Sequence, residues 1–286
     1  MAEVRGVTIR ELWAQTAEII GSRHEARWLC ETATALDGED FVVGLDEQAT
    51  ERMVAHLDAM VARYRAGEPL QYVLGRWSFR GLDLAIDRRV LIPRPETELV
   101  AETAIELASQ VAAPRSVADL GTGSGAIGLA MAAELPIEGT TVWITDKSDE
   151  ALGVARSNLA GIGRPARNVR VASGDWFEAL PEGQRFDVIV SNPPYVADGS
   201  PDLAPSVSEW EPVAALLAGE DGLEAIRQIV GGAGQHLADG GWLVLEIGAD
   251  QGDAVRDLME HAGFRAVEIR GDLAGRDRIA LGRRPV

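Results

Sequence analysis

Apolar residues recur along this chain with two different periods, and the change of period divides it. After Ser22, residues Ala26, Leu29, Cys30, Ala33 and Leu36 fall three and four apart, which lines one stripe of a helix running to Gly38. Met53, Leu57, Met60, Val61 and Tyr64 repeat that spacing before Gly67 and Pro69. Thr8 followed by Glu11, and Ser22 followed by Glu25, have the spacing of capping boxes that satisfy free amides at a helix start. Residues 1–72 are therefore expected to form a small helical bundle. From Tyr72 to Pro95 the texture turns aromatic and β-branched, broken by Gly75, Gly81, Pro93 and Pro95. A hairpin and linker are expected over 73–95, with the domain boundary near residue 88.

Beyond the linker, residues 96–286 alternate strand-like apolar runs with helical patterns. Ser116–Leu120, Thr141–Thr145, Val169–Ala172, Phe186–Val190 and Trp242–Ile247 read as strands. That rhythm predicts an α/β fold whose parallel sheet carries helices on both faces. Phe264–Ile269 and Arg278–Leu281 lie too close together for a crossover helix, so they are expected to add an antiparallel hairpin at the sheet edge. The sheet then has seven strands, mostly parallel.

Composition narrows the class. At 286 residues and 46% hydrophobic, the chain buries a sizeable core. Apolar runs such as Ile127–Ala133 fall far short of the roughly 20 residues that cross a bilayer, so a cytoplasmic protein is expected. A formal charge of −18, with Lys147 the one lysine, argues against holding nucleic acid through a broad phosphate-neutralising surface. Cys30 has no partner cysteine, and His24, His56, His236 and His261 lie far apart, so no metal site is expected.

The candidate chemistry gathers where strands end. Ser116–Leu120 runs into Gly121-Thr122-Gly123-Ser124-Gly125 and then into a helical pattern through Ile127, Leu129, Ala130 and Met131. Glycines there let the backbone turn sharply and let a ligand approach where a β-carbon would collide. The next strand closes on Asp146, 21 residues after Gly125, where a carboxylate can accept from both hydroxyls of a ribose. Gly121, Gly123 and Ala126 also satisfy a loose dinucleotide pattern, so a nicotinamide cofactor stays open at this step. A nucleophile elbow is excluded, because Thr122 stands where that motif requires glycine.

The fourth strand runs into Ser191-Asn192-Pro193-Pro194-Tyr195. Two prolines cannot continue a central ladder, so the chain must leave the sheet as a stiff loop at the edge that carries the glycine turn. Methyl transfer to a planar amide or exocyclic amine nitrogen is difficult because its lone pair is delocalised. Hydrogen-bond acceptors aimed at its N–H groups orient it and favour pyramidalisation. The Asn192 carboxamide oxygen and the Pro193 carbonyl can supply two such acceptors, and Tyr195 can pack against the flat group. Catalysis of that kind is alignment rather than strong base chemistry. Nicotinamide chemistry has no use for such a loop.

With these residues in place, the chain resembles the peptide-chain release factor glutamine methyltransferases, the PrmC/HemK family. The likeness runs through Pro69-Leu70-Gln71-Tyr72, Ile92-Pro93-Arg94-Pro95-Glu96-Thr97-Glu98, Asp119 to Gly125, Gly174-Asp175-Trp176-Phe177, Asn192 to Tyr195, Glu211-Pro212, Leu245-Glu246-Ile247-Gly248 and Asp272 to Arg278. Gly219-Glu220 departs from the pair of glycines common there. The resemblance implies a Rossmann-like class I methyltransferase that uses S-adenosyl-L-methionine to methylate the glutamine of the Gly-Gly-Gln loop of class I release factors. It implies that Gly121 to Gly125 face the methionine part of the cofactor and Asp146 its ribose. Asp175 and Trp176 would surround the adenine, Asn192 to Pro194 and Tyr195 would hold the glutamine, and the N-terminal helices would help dock the release factor. A monomer with no direct nucleic-acid contact is expected. Two rivals remain: an adenine or guanine amino methyltransferase using the same loop on a flipped base, and a non-catalytic module that holds a nucleotide only as ligand.

Overall fold

The computed structural model describes residues 6–200 and 209–286, and the chain divides into one compact unit up to Arg76 and a second from Trp77 onward. The first unit is helical: α1 Ile9–Ile20, α2 Arg23–Thr34, α3 Gly38–Val43, α4 Glu51–Arg65 and α5 Leu70–Leu74. Thr8 opens α1 with the expected reciprocal box: its hydroxyl accepts from the Glu11 amide at 3.2 Å and the Glu11 carboxylate accepts from the Thr8 amide at 2.8 Å. Ser22 caps α2 by accepting from the Glu25 amide at 3.3 Å. The apolar stripes meet in a core built on Ile9, Leu29, Phe41, Leu57 and Met60.

Helix α2 stops earlier than its apolar spacing predicts. The Thr34 hydroxyl donates back to the Cys30 carbonyl at 2.8 Å and accepts from the Leu36 amide at 3.4 Å, and Ala35 turns left-handed. Gly38 therefore opens a new short helix instead of closing the old one, with Glu39 and Asp40 in the first turn where the helix dipole favours acids.

The expected hairpin is β1 Arg76–Phe79 and β2 Leu82–Ala85, turning through Arg80 and Gly81, both at positive φ. Its Phe79 and Leu84 are buried in the core of the second unit. The division between units accordingly falls at Arg76/Trp77 and not near residue 88.

The rest of the second unit is a seven-stranded sheet in the order β5-β4-β3-β6-β7-β9-β8. Its strands are β3 Arg115–Leu120, β4 Thr140–Asp146, β5 Val169–Ser173, β6 Phe186–Ser191, β7 Leu237–Glu246, β8 Arg265–Gly271 and β9 Asp277–Arg283. The pairs among β3 to β7 are parallel, and β9 runs antiparallel to both β7 and β8, so the terminal hairpin sits at the edge as expected. The helices are α6 Pro95–Ser109, α7 Ala126–Glu134, α8 Asp149–Gly161, α9 Glu224–His236 and α10 Gly252–His261. Successive residues of a strand face opposite sides. Val117 and Val188 enter a core with α6 and α7, while Ala118 and Ile189 enter the core under α9 and α10. No described helix is long and apolar enough to cross a membrane.

This connectivity decides where a ligand can bind. The chain steps from β3 outward through β4 to β5, then returns to place β6 on the other side of β3. A crevice opens at the carboxyl ends of strands where the order reverses. Leu120 and Ser191, the last residues of β3 and β6, are register partners, and the Ser191 hydroxyl donates to the Leu120 carbonyl at 2.6 Å.

Candidate functional site

A cavity of about 180 Å³ lies over that crevice. Gly121 to Ser124, Asp146, Asp175, Trp176, Asn192 and Pro194 line it, whereas Gly125, Pro193 and Tyr195 do not. Thr97 and Asp119 line it as well.

The glycine turn is shaped by close approach. Gly121, Gly123 and Gly125 have φ values of 68°, 55° and 88°, a region that costs any residue with a β-carbon. At Gly121 a β-carbon would lie 3.2 Å from a ring atom of Trp176. Trp176 itself is held at φ 45°, an unfavourable conformation for a large side chain, which presents its indole to the cavity wall. Asp146 braces the turn: one carboxylate oxygen accepts from the Gly123 amide and the other from the Ser148 amide, each at 2.9 Å. Each oxygen keeps a second lone pair for a hydroxyl partner.

Sequence reading gave Asp119 no role of its own, and the structure singles it out. Its Oδ2 accepts from the Thr122 hydroxyl at 2.5 Å and from the Gly128 amide in α7 at 2.9 Å. Its Oδ1 has no hydrogen-bond partner among the described residues. The side chain is 1% exposed, and burial pushes its carboxyl up to about 7 against the opposing bonds from Thr122 and Gly128. A buried carboxylate with a spare oxygen at a cavity wall suits a cationic ligand. In the sequence it stood only as the first residue of the Asp119 to Gly125 likeness, an acid in an otherwise apolar strand end.

These residues fit S-adenosyl-L-methionine. Asp119 would suit a cation, Asp146 a pair of hydroxyls and Trp176 a flat base, around a backbone turn where a β-carbon at Gly121 would crowd Trp176.

The loop after β6 is built by other means. The Asn192 side-chain NH2 donates to the Thr97 hydroxyl at 3.3 Å, and that hydroxyl donates to Glu246 Oε2 at 2.7 Å. Glu246 Oε1 accepts from the Tyr195 hydroxyl at 3.2 Å. The Tyr195 carbonyl accepts from the Gln251 side chain at 3.0 Å, and Gly222 packs so close that a β-carbon there would lie 2.4 Å from that carbonyl. Glu246 is 1% exposed and its carboxyl is raised by burial, with Thr97 and Arg278 opposing. Burial and the neighbouring Glu246 also push the Tyr195 phenol up.

The Arg94 to Glu98 segment caps and begins α6, which gives Arg94, Thr97 and Glu98 defined partners. Arg94 pairs with the buried Glu211, whose other oxygen accepts from the Ile92 amide at 3.0 Å. Thr97 faces Glu246 and Asn192, and Glu98 accepts from the Arg80 amide at 3.1 Å. The polar loop 196–210 lies partly outside the described residues, over 201–208. Trp210 just beyond is covered by the Arg88 guanidinium, 3.9 Å above its ring.

The chain is similar to known proteins over most of its length. Residues 99–206 match the family Methyltransferase small domain, and residues 14–75 match the PrmC N-terminal domain. The release factor glutamine methyltransferase of Burkholderia pseudomallei is 45% identical over 264 residues, 91% of this chain and 92% of its own length. That of Pseudomonas aeruginosa is 47% identical over 235 residues, 82% of this chain and 81% of its own. Among solved structures, the T. thermophilus 16S rRNA methyltransferase RsmC, in complex with AdoMet and guanosine, superposes with a TM-score of 0.51 at 20% identity, covering 73% of this chain and 49% of that one. The last likeness speaks for the fold alone. The identities over nearly the whole chain place it in a family: this protein belongs to the release factor glutamine methyltransferases.

Proposed function

We propose that this chain transfers a methyl group from S-adenosyl-L-methionine to the side-chain amide nitrogen of the glutamine in the Gly-Gly-Gln motif of class I release factors, in the cytoplasm. One observation carries the reading: the Asn192 carboxamide lines the same cavity as the glycine turn, with its NH2 tied away to Thr97. Its oxygen is thereby left to accept from a substrate amide.

When bound, the cofactor would supply a sulfonium-activated methyl group: the S–C electron pair would stay on sulfur as the N–C bond forms, and the amide nitrogen would shed one of its two protons to solvent. The chain's own residues align the acceptor. Asn192 Oδ1 and the Pro193 carbonyl take the two N–H groups of the glutamine amide, and the fixed φ of two prolines keeps those acceptors in place. Each gains strength as the nitrogen leaves planarity, so the bonds favour the transition state over the ground state. Asp119 and Asp146 would hold the cofactor's cationic and hydroxyl groups, Gly121 to Ser124 would admit it, and Asp175 and Trp176 would wall its base. Tyr195 acts from behind the loop, through its bond to Glu246.

Incubation with methyl-labelled cofactor and a release factor, DNA or RNA tests the reading. Label is expected on the glutamine of the release factor alone. Label on nucleic acid would overturn it in favour of a base amino methyltransferase.

A further inference from the structure

A carboxamide has two chemically opposite ends of nearly equal shape, and the proposed chemistry works with only one of them facing the substrate. We propose that Glu246, acting through the Thr97 hydroxyl, is the positioning residue that sets which end of Asn192 faces the cavity. The inference rests on the reading of Asn192 as the group that grips the substrate amide.

The geometry carries it. Thr97 has one hydroxyl proton, and at 2.7 Å from Glu246 Oε2 that proton is committed to the carboxylate. The hydroxyl oxygen is then an acceptor toward Asn192, 3.3 Å away, and an acceptor can take only the NH2 end of the carboxamide. The oxygen end is turned the other way. Reversing the first bond reverses the last. A neutral Glu246 can donate to Thr97, whose hydroxyl is then free to donate to Asn192 Oδ1, so that the NH2 group faces the cavity and repels a substrate N–H. The polarity of three hydrogen bonds thus follows from the charge on one carboxyl group.

The same carboxylate also accepts from the Tyr195 hydroxyl, so it holds both ends of the Asn192 to Tyr195 segment. It stands at the end of β7, beside the β6 terminus that launches the loop, and Thr97 comes from the first turn of α6. The chain's acid is 149 positions from its hydroxyl partner. Both are buried, at 1% and 3% exposure, so water does not compete for the bond between them.

The charged and titratable groups around Glu246 are Glu96 from α6, Tyr195 from the loop and Arg278 from β9, with Arg94 acting on Tyr195. Arg278 donates to the Ile247 carbonyl at 3.1 Å and lies 3.4 Å from the Tyr195 hydroxyl. Burial and Glu96 raise the Glu246 carboxyl, while Thr97, Arg278 and Tyr195 lower it. Methyl transfer should therefore fall on the acid side at a pH above the usual carboxylate range, as the proton enters Glu246.

Two measurements test the relay. In steady-state methylation of a release factor, Thr97→Val should lower kcat roughly tenfold or more, the loss expected from one buried hydrogen bond, with KM for the protein substrate and cofactor affinity little changed. Thr97→Ser should restore it, and Glu246→Gln should abolish the acid limb of the kcat profile. In the substrate-free protein, the Asn192 side-chain amide resonances, identified by their loss in Asn192→Ser, should shift with pH in the wild type and stay fixed in Thr97→Val and Glu246→Gln. Wild-type turnover in Thr97→Val, or Asn192 resonances indifferent to pH in the wild type, would overturn the inference. If the wild type methylates no release factor, the functional reading fails while the resonance titration still decides the relay. Should Thr97→Val not fold, Glu246→Gln carries both readouts.

Discussion

The loops that leave β3 and β6 start from hydrogen-bonded neighbours, yet one is made of freedom and the other of constraint. After β3 the chain removes side chains, so that glycines at positive φ open space, while Asp146 accepts from the Gly123 amide and Asp119 from the Thr122 hydroxyl. After β6 it adds rings and buries a carboxylate beneath them, so that Asn192 and Tyr195 are both tied to Glu246. On the proposed function, the contrast follows from two tasks. A large, polyfunctional cofactor needs a wall it can approach closely, whereas a small planar amide needs two acceptors that do not move.

The largest effect expected from this contrast is on turnover. Asn192→Ala should lower kcat by about 100-fold or more, the range seen when one preorganised transition-state hydrogen bond is removed, while the cofactor dissociation constant measured by calorimetry stays near the wild-type value. Loss of cofactor binding with unchanged turnover per bound complex would reverse the two roles.

Next in size is a pH effect on stability centred on the cofactor side. Burial pushes the Asp119 carboxyl up to about 7 in the folded protein from its ordinary 3.8, so between those values the folded chain holds a proton that the unfolded chain has released. Stability contributed by this group is full below the unfolded value and is lost as pH rises toward 7, with a slope of at most roughly 1.4 kcal/mol per pH unit. Asp119→Asn should flatten that slope in denaturant titrations at pH 5, 6 and 7, and parallel curves for the two proteins would show that the carboxylate is already ionised throughout.

Gly121→Ala should be milder. The left-handed φ and the 3.2 Å approach to Trp176 together cost about 1 to 2 kcal/mol, expected as a roughly tenfold weaker cofactor dissociation constant with kcat at saturation preserved. A fall in kcat instead would mean that the turn also shapes the acceptor side.

Smallest for the chemistry is Ser22→Ala in the helical unit. Loss of the cap on α2 should lower stability by about 1 kcal/mol in thermal unfolding and leave methylation of a short glutamine-containing peptide unchanged.

Much of this architecture was legible in the chain. Each expected strand formed within a few residues, except that β7 begins five residues before Trp242, because a strand buried on both sheet faces reads as a short continuous apolar run. Both loops were legible for a local reason, since glycine clusters and paired prolines restrict the backbone wherever they stand. What escaped was long-range or hidden by a competing local bond. Glu246 and Thr97 each belonged to a stretch of the likeness, but no periodic pattern connects two positions so far apart, so their bond to one another was not legible. The early end of α2 escaped because the Thr34 hydroxyl captures the Cys30 carbonyl, a side-chain event that apolar spacing does not record.

The bond from Ser191 to the Leu120 carbonyl has a further implication. Because the last residues of two central strands are clamped to one another, both ligand-bearing segments share a single point of departure. Thermal breathing of the sheet then carries them as a pair, and the span between methyl donor and methyl acceptor behaves as a fixed ruler cut into the backbone, which only an insertion or deletion beyond that clamp could lengthen or shorten.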